Sequence, residues 1–272
     1  MLNFISFGSG SSGNCYLLYT ENSGLLIDLG IGLRALKKYL REYGISVPTI
    51  GQLLVTHDHA DHVKSVGKMS KDFNLPVYAT RLVHQGIDNN YVVKCKILPE
   101  NRRVIEVGQE EVFGDFRVRA FRVPHDSSDN VGYRIECHGV VFCVMTDVGY
   151  LTDEMKQMIR DANYLVLEAN YDVEMLNAGP YPQHLKTRIL GTGGHLSNEE
   201  CGKALAENAT LKLRHVWLCH LSEENNHPEL ARKTVEQILR SYGIVAGKDF
   251  ELDVLKRTTP TGVFQLEEDE GL

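Results

Sequence analysis

The chain has 272 residues, of which 43% are hydrophobic and 24% are charged, and its formal net charge is -7 at pH 7. These values are ordinary for a globular enzyme, and the negative charge argues against a protein that coats nucleic acid without specificity, because phosphate binding normally requires an excess of Lys and Arg. No stretch approaches the roughly 20 apolar residues of a membrane span, and the strand-like start at 2–7 differs from a basic signal sequence. We therefore expect a cytoplasmic protein that does not bind membranes. The composition favours disorder only in the acidic tail at 267–272.

The N-terminal third of the chain alternates short apolar runs with turn signals. The spacing of apolar residues over 33–43 predicts a helix with one apolar face, which ends at Gly44. The apolar run 52–56 predicts a short strand, and helical character resumes at 63–73. Three strands of an antiparallel meander are predicted before the first helix, at 2–8, 15–20 and 24–30.

The remainder of the chain divides into a second β-rich region and a region where helix and strand alternate. A second antiparallel run is predicted at 102–107, 111–113, 116–123, 131–137 and 140–146. Helices follow at 152–160, 181–190, 197–208 and 227–242, with strands at 164–168 and 215–219. Because each half combines strands with helices, we predict an α/β fold, a four-layer αββα sandwich formed by a single domain over 1–272.

The six cysteines lie in apolar stretches, and no two of them form the C-x-x-C pair of a structural zinc knuckle. Buried, reduced thiols are their expected state. The sequence therefore predicts neither disulfides nor a cysteine-bound metal.

The segment His57-Asp58-His59-Ala60-Asp61-His62 follows a predicted strand and precedes a predicted helix. It places four metal-ligating side chains within six residues, and a tight loop can direct them to two neighbouring metal ions. Imidazole suits zinc and other first-row divalent ions, and carboxylate adds tolerance for harder ions such as manganese. A solvated polar loop is the alternative, but three histidines so close together are improbable in a chain with only 11.

This segment resembles the second of five ordered motifs of the metallo-β-lactamase superfamily, and the resemblance extends over essentially the whole chain. It implies that His57 and His59 bind a first metal ion, and that Asp61 and His62 bind a second. Asp28, at the end of an early predicted strand, resembles the first motif, which supports and orients the histidine loop. A turn residue is the alternative for Asp28.

The last three motifs follow strands of the second half of the chain. By similarity, His125 completes the histidine trio of the first metal, and Asp147 resembles the carboxylate that bridges both metals. His220 resembles the fifth motif; His227 is the alternative, although it precedes Pro228 at a predicted helix start. The resemblance thus implies two divalent metal ions, with zinc or manganese expected and iron accepted by the same ligands.

Two further residues receive catalytic roles from the resemblance. His195 precedes a predicted helix in which Ser197 and Glu200 have the spacing of a capping box. In the phosphodiesterase branches of the superfamily, a histidine at this place acts on the leaving group, whereas the alternative is a loop histidine that fixes a turn. Asp58 resembles the residue that orients or deprotonates the attacking water.

Three stretches narrow the resemblance to one branch, the YycJ (WalJ) type of bacterial nuclease-like proteins: 8–15, 194–198 and 220–226. This branch implies a phosphodiester hydrolase, a nuclease with DNA as the favoured substrate, and in its most specific form a 5′ to 3′ exonuclease. A small-molecule phosphodiesterase, a thioester hydrolase of the glyoxalase II type and a non-catalytic binding module are the alternatives. The sequence does not determine the oligomeric state.

The spacing between motifs restricts insertions. His125 and Asp147 are 22 positions apart, and 47 residues lie between Asp147 and His195. These intervals are too short for the projecting arm of the tRNA-processing ribonucleases of this superfamily or for the large cap domain of its RNA-maturation and DNA-repair branch. We therefore expect no arm or cap insertion.

Overall fold

The computed structural model describes residues 1–267, so the part of the acidic tail at 268–272, where the composition favours disorder, lies outside the described residues. The first half of the chain contains β1 (Leu2–Gly8), β2 (Cys15–Tyr19), β3 (Gly24–Ile27), α1 (Leu33–Glu42), β4 (Ile50–Leu54), α2 (Ala60–Val63), α3 (Val66–Phe73), β5 (Val77–Ala79), α4 (Arg81–Asn89) and β6 (Arg102–Val104).

The second half follows in the order β7 (Glu110–Phe113), β8 (Phe116–Arg122), β9 (Val131–Cys137), β10 (Val140–Met145), α5 (Asp153–Asp161), β11 (Tyr164–Glu168), α6 (Val173–Ala178), α7 (Gln183–Leu190), α8 (Asn198–Asn208), β12 (His215–Cys219), α9 (Pro228–Ser241), β13 (Glu251–Val254) and β14 (Val263–Leu266). Helix α8 begins with the predicted capping box, in which Ser197 and Glu200 satisfy each other's backbone N–H groups.

The strands form two mixed sheets, each of seven strands. The first has the order β14-β1-β2-β3-β4-β5-β6 and the second the order β13-β12-β11-β10-β9-β8-β7. Strands β1 to β3 form the predicted antiparallel meander, whereas β3 to β6 run parallel. In the second sheet β7 to β10 are antiparallel, and β10 to β13 are parallel. The parallel strands of each sheet therefore end at one edge.

Three apolar clusters hold the layers together. The inner cluster lies between the sheets, where the ring of Phe4 is 5.0 Å from that of Phe142 and 4.7 Å from that of Trp217. A second cluster packs α1, α3 and α4 on the first sheet, and a third packs α5, α8 and α9 on the second. The predicted four-layer αββα sandwich is thus confirmed. No disulfide links the six cysteines.

The structure also corrects details of the sequence prediction. The run at 102–107 was expected in the second antiparallel region, but Arg102–Val104 pairs in parallel with β5 in the first sheet. The helix expected at 63–73 begins earlier and is divided into α2 and α3. Five elements were not predicted: β5, α4, α6, β13 and β14. The three strands among them have only three or four residues each. Among residues 1–267, no helix is both long enough and apolar enough to cross a membrane.

Candidate metal centre

The predicted site residues meet at the edge where the parallel strands end. Asp28 follows β3, His57 follows β4, Asp147 follows β10 and His220 follows β12. Glu168, which was not predicted, ends β11 at the same edge. The backbones of Asp28, Asp147 and His220 are in the left-handed region, with φ of 57°, 55° and 54°. Non-glycine residues adopt this conformation at a cost in energy, and such residues cluster at functional sites.

A first ligand group consists of His57, His59, His125 and Asp147, whose ligand atoms all lie within 4.8 Å of one another. The Nε2 atom of His57 is buried without a hydrogen-bond partner and lies 3.9 Å from Oδ1 of Asp147. Since buried polar atoms are rarely left unpaired, a cation here would satisfy it. His125 Nδ1 donates to the carbonyl of Gly194 at 2.9 Å, which leaves its Nε2 to face the group.

A second ligand group consists of Asp61, His62 and His220, again within 4.8 Å. The ring of His62 is held by Asp28, whose Oδ2 accepts from His62 Nδ1 at 2.7 Å. Asp28 also accepts from the backbone N–H and the hydroxyl of Thr56, both at 2.8 Å. These bonds turn His62 Nε2 toward Asp61, so Asp28 lies where the sequence placed it, behind the histidine loop.

Asp147 lies between the two groups. Its Oδ1 is 3.7 Å from His125 Nε2 and 3.6 Å from His220 Nε2, and its Oδ2 is 3.2 Å from His62 Nε2. One carboxylate therefore borders both sets of imidazoles, as a bridging ligand must. The unpartnered nitrogen of His57 and the mixed nitrogen and oxygen donors fit two divalent ions.

The electrostatics of the site agree with cation binding. Burial alone would lower the pKa of His62, but Asp147, Asp61 and Asp28 raise it to about 10. Burial would raise the pKa of Asp147, yet His220 and His62 hold it well below its usual value. The carboxylates thus stabilise positive charge at buried imidazoles, and metal ions compete with protons for such a place.

The sequence analysis missed Glu168, a fully buried carboxylate beneath the site. Its Oε1 accepts from His195 Nδ1 at 2.9 Å and His220 Nδ1 at 3.1 Å, and its Oε2 accepts from the backbone N–H groups of Val148 at 2.8 Å and Leu196 at 3.0 Å. Burial opposes its ionisation, but His195 lowers its pKa to about 2. Asp147, Glu168, His195 and His220 form a third group of ligand atoms that lie within 4.8 Å of one another. Because both oxygens of Glu168 already accept two hydrogen bonds each, its role is to orient the imidazoles.

His195 borders the same centre on the cavity side. Burial lowers its pKa, but Glu168 outweighs that effect and raises it. Because Nδ1 is bound to Glu168, the Nε2 atom is left for the cavity that His195 lines. The Nε2 atom is therefore the ring nitrogen that is accessible to a molecule bound in the cavity.

Asp58 has a different environment from the ligands beside it. Its carboxylate accepts from the backbone N–H of Ser128 at 3.1 Å and from the Ser128 hydroxyl at 2.8 Å. It packs against α4 so closely that a Cβ on Gly86 would lie 2.0 Å from Asp58 Oδ2. Asp58 lines the cavity but belongs to none of the ligand groups found among residues 1–267, so its action on water stays a prediction.

His220 and the alternative His227 differ in their surroundings. His227 is the N-cap of α9, where its Nδ1 accepts from Glu229 N–H at 3.3 Å, and it joins no ligand group among the described residues. His84 and His215 have structural partners, the carbonyl of Arg103 at 2.8 Å and the ring of Trp217 at 4.1 Å.

Asn14 is a second residue that the sequence analysis missed. Its Nδ2 lies 2.9 Å from His62 Nε2 and 3.3 Å from Asp61 Oδ2, and its backbone N–H donates to the Asp61 carbonyl at 2.7 Å. The only available signal was its place in the Gly- and Ser-rich stretch at 8–15. Asn14 ties that loop to the histidine loop.

A cavity of about 560 Å³ opens over the two ligand groups. Asp61, Asp147, His195 and His220 line its floor and Arg188 lines its wall. The Arg188 guanidinium is held by Asp126, with Nη2 to Oδ1 at 2.9 Å. A substrate in this cavity would meet carboxylates, imidazoles and a guanidinium together.

Two mixed sheets between helices, with paired imidazole and carboxylate groups at one edge, define a metal-dependent hydrolase of the metallo-β-lactamase fold. Residues 24–221 match the family described as beta-lactamase superfamily domain, and the chain belongs to that superfamily. It is 35% identical over 262 residues to "Exodeoxyribonuclease YycJ" of Bacillus anthracis, covering 96% of this chain and 98% of the relative. It is 34% identical over 244 residues to "Exodeoxyribonuclease WalJ" of Streptococcus pneumoniae, covering 90% of each.

Solved structures agree on the fold. The metallo-beta-lactamase fold protein YhfI from Bacillus subtilis has a TM-score of 0.71 at 17% identity, covering 97% of this chain and 99% of that one. Zn²⁺-bound PqqB from Methylobacterium extorquens has a TM-score of 0.71 at 15% identity, covering 97% and 100%. These structural similarities establish the fold, whereas the sequence similarity to YycJ and WalJ indicates the branch of the superfamily.

Proposed function

We propose that this protein is a dinuclear metal-dependent phosphodiesterase that acts as a nuclease on DNA. More specifically, we propose that it is a 5′ to 3′ exonuclease. The observation that carries the proposal is the place of His195: Glu168 fixes one ring nitrogen, and the ring lines the same cavity as Asp147 and His220. A phosphodiester needs a proton at its departing oxygen, and this imidazole is placed to supply it. The two relatives named exodeoxyribonucleases support DNA as the substrate.

We assign the first divalent ion to His57, His59 and His125, the second to Asp61, His62 and His220, and both to Asp147. When bound, two divalent ions would lower the pKa of a nearby water molecule toward neutrality and would neutralise charge on the phosphoryl oxygens. Asp28, Glu168 and the Gly194 carbonyl fix the ring orientations of three of these histidines. We propose zinc or manganese, with iron as the alternative that metal analysis of the purified protein would reveal.

The chain's own residues perform the remaining steps. His195 Nε2 donates a proton to the departing alkoxide, a contribution of roughly 10² to 10⁴ in rate. Arg188, held in place by Asp126, contacts a phosphate oxygen from the cavity wall. Asp58 remains the predicted residue for orienting the attacking water. Its carboxylate also accepts two hydrogen bonds from Ser128, which favours a role in holding the Ser128 loop in place.

The decisive assay uses oligonucleotides labelled at the 5′ or 3′ end, single- and double-stranded, with added manganese or zinc. We expect mononucleotide products and a preference for a 5′-phosphate. His59→Ala should abolish turnover through loss of metal, whereas His195→Ala should retain both ions and lose rate. Hydrolysis of S-lactoylglutathione without cleavage of any oligonucleotide would replace the proposal with a glyoxalase II type thioesterase. Turnover of bis(p-nitrophenyl) phosphate without cleavage of DNA would indicate a small-molecule phosphodiesterase.

We also infer that the described residues form one domain without an arm or cap, because the inner apolar cluster joins strands of both halves of the chain. A single cooperative unfolding transition would support this inference. The cytoplasmic location stays a prediction, which fractionation of cells that produce the protein would test.

A further inference from the structure

An aromatic side chain stands at the rim of the cavity, and neither the metal centre nor the proton donor accounts for it. Tyr91 is 83% exposed, directly after α4, and it lines the cavity together with Val92 and Arg188. A single exposed aromatic residue on a protein surface is ordinary in itself. The position of Tyr91 on the wall of the cavity is the feature that requires an explanation.

The backbone on both sides of Tyr91 is tied to the body of the protein. Asn90 Nδ2 donates to the carbonyl of Asp58 at 2.8 Å, and Asn90 Oδ1 accepts from Val92 N–H at 2.9 Å. Lys96 Nζ donates to the carbonyl of Asn90 at 2.7 Å. Because Asp58 stands between His57 and His59 in the chain, these bonds fix the backbone of Tyr91 relative to the metal centre.

The cavity therefore offers a different group for each part of a nucleotide. The metal centre and Arg188 suit a phosphate, and the exposed Tyr91 ring suits a base, since every base has a face that stacks on an aromatic side chain. The formal net charge of -7 leaves the chain with little long-range attraction for nucleic acid. Stacking supplies affinity that this charge does not oppose.

We propose that Tyr91 is the stacking platform for the terminal base of a single-stranded DNA end whose scissile phosphate lies at the metal centre. This inference rests on the proposed nuclease function and adds to it a requirement for an unpaired end. In duplex DNA the terminal base is stacked and paired, so the platform accepts it only after fraying.

The test compares Tyr91→Ala and Tyr91→Phe with the wild type on two 5′-phosphorylated single strands. One strand carries a normal terminal base, and the other is abasic at the terminal nucleotide only. With the normal strand, Tyr91→Ala should raise KM about 5- to 150-fold, the value of one lost base–aromatic stack, and Tyr91→Phe should stay near the wild type. With the abasic strand, the wild type and Tyr91→Ala should have similar KM values.

Tyr242→Ala is the matched control, because Tyr242 is 53% exposed at the end of α9 and does not line the cavity. Its KM should equal that of the wild type on both strands. An equal loss for Tyr91→Ala on the normal and the abasic strand would overturn the stacking role while leaving the nuclease function intact. A wild type that cleaves neither strand with manganese or zinc would overturn the nuclease function itself.

Discussion

Replacing Glu168 with glutamine tests the electrostatic support of the whole site. The carboxylate accepts four hydrogen bonds, two from the imidazoles of His195 and His220 and two from backbone N–H groups. An amide has one acceptor oxygen and one donor nitrogen. If the new NH₂ group faces the backbone, both N–H donors lose their acceptor. If it faces the imidazoles, His195 can shift its proton to Nε2 and accept at Nδ1, but His220 with a metal at Nε2 keeps its Nδ1 proton unpaired.

The loss of these hydrogen bonds sets the expected changes in stability, metal affinity and kcat of Glu168→Gln. Each buried donor left unpaired costs about 1–3 kcal/mol, so Glu168→Gln, which leaves one or two donors unpaired, should lower the free energy of unfolding by about 1–6 kcal/mol. Loss of the partner that orients a metal-binding histidine typically weakens metal affinity 10- to 100-fold. Because His195 loses the carboxylate that raises its pKa, kcat should also fall when metal is saturating.

The assay titrates zinc or manganese against a chromophoric chelator and then measures kcat on a labelled oligonucleotide at saturating metal. Glu174→Gln on α6 is the matched control, because Glu174 is exposed and the same chemical change there lies outside the site. If Glu168→Gln had the same metal affinity, kcat and free energy of unfolding as the wild type, the orienting role of Glu168 would be refuted. A loss of stability alone would limit Glu168 to a structural role.

Three further predictions concern the residues around the histidine loop. Asp28→Asn should weaken binding of the second metal ion about 10- to 100-fold. Elemental analysis after dialysis should then show one ion lost per chain. Retention of both ions would contradict the role of Asp28 in orienting His62. Gly86→Ala should destabilise by about 1–3 kcal/mol although alanine normally favours a helix, because its Cβ would collide with Asp58. Gly51→Ala, which has open space around it, should be neutral in the same denaturant titration. Burial lowers the pKa of His84 below 6.5. As the pH drops below 6.5 the unfolded chain therefore binds a proton at His84 before the folded chain does, and the free energy of unfolding falls. His84→Gln should reduce the loss in Tm between pH 7.5 and 5.5, and an unchanged loss would exclude this contribution of His84.

The parts of the site that the sequence predicted are those with a local pattern. The histidine loop has its ligands within six residues, and His195 stands beside a capping box that marks a helix start. Glu168 and Asn14 carry no such pattern, because their partners lie elsewhere in the chain: Glu168 binds His220 across 52 positions and Asn14 binds His62 across 48. Only the pairing of strands reveals such contacts.

The same distinction holds for the fold. The meander β1 to β3 and the helices with an apolar face were predicted within a few residues, because apolar period and turn residues encode them locally. The segment at 102–104 was placed with the wrong strands, since a three-residue strand has no period that could indicate its neighbour. Its parallel pairing with β5 depends on α4, the helix that connects the two strands and that was not predicted from the sequence.

The left-handed residues explain why the site lies at the strand ends. Asp28, Asp147 and His220 each follow a buried strand, and the left-handed backbone at each of them ends the extended conformation of that strand. Asp and His tolerate this conformation better than branched residues do, so the chemistry of the ligands and the geometry of the turns are compatible. The strain is kept because the surrounding bonds hold it, for example those of Asp28 to Thr56. The sheets thus provide rigid, parallel termini, and the turns after them direct carboxylates and imidazoles from distant parts of the chain toward one place.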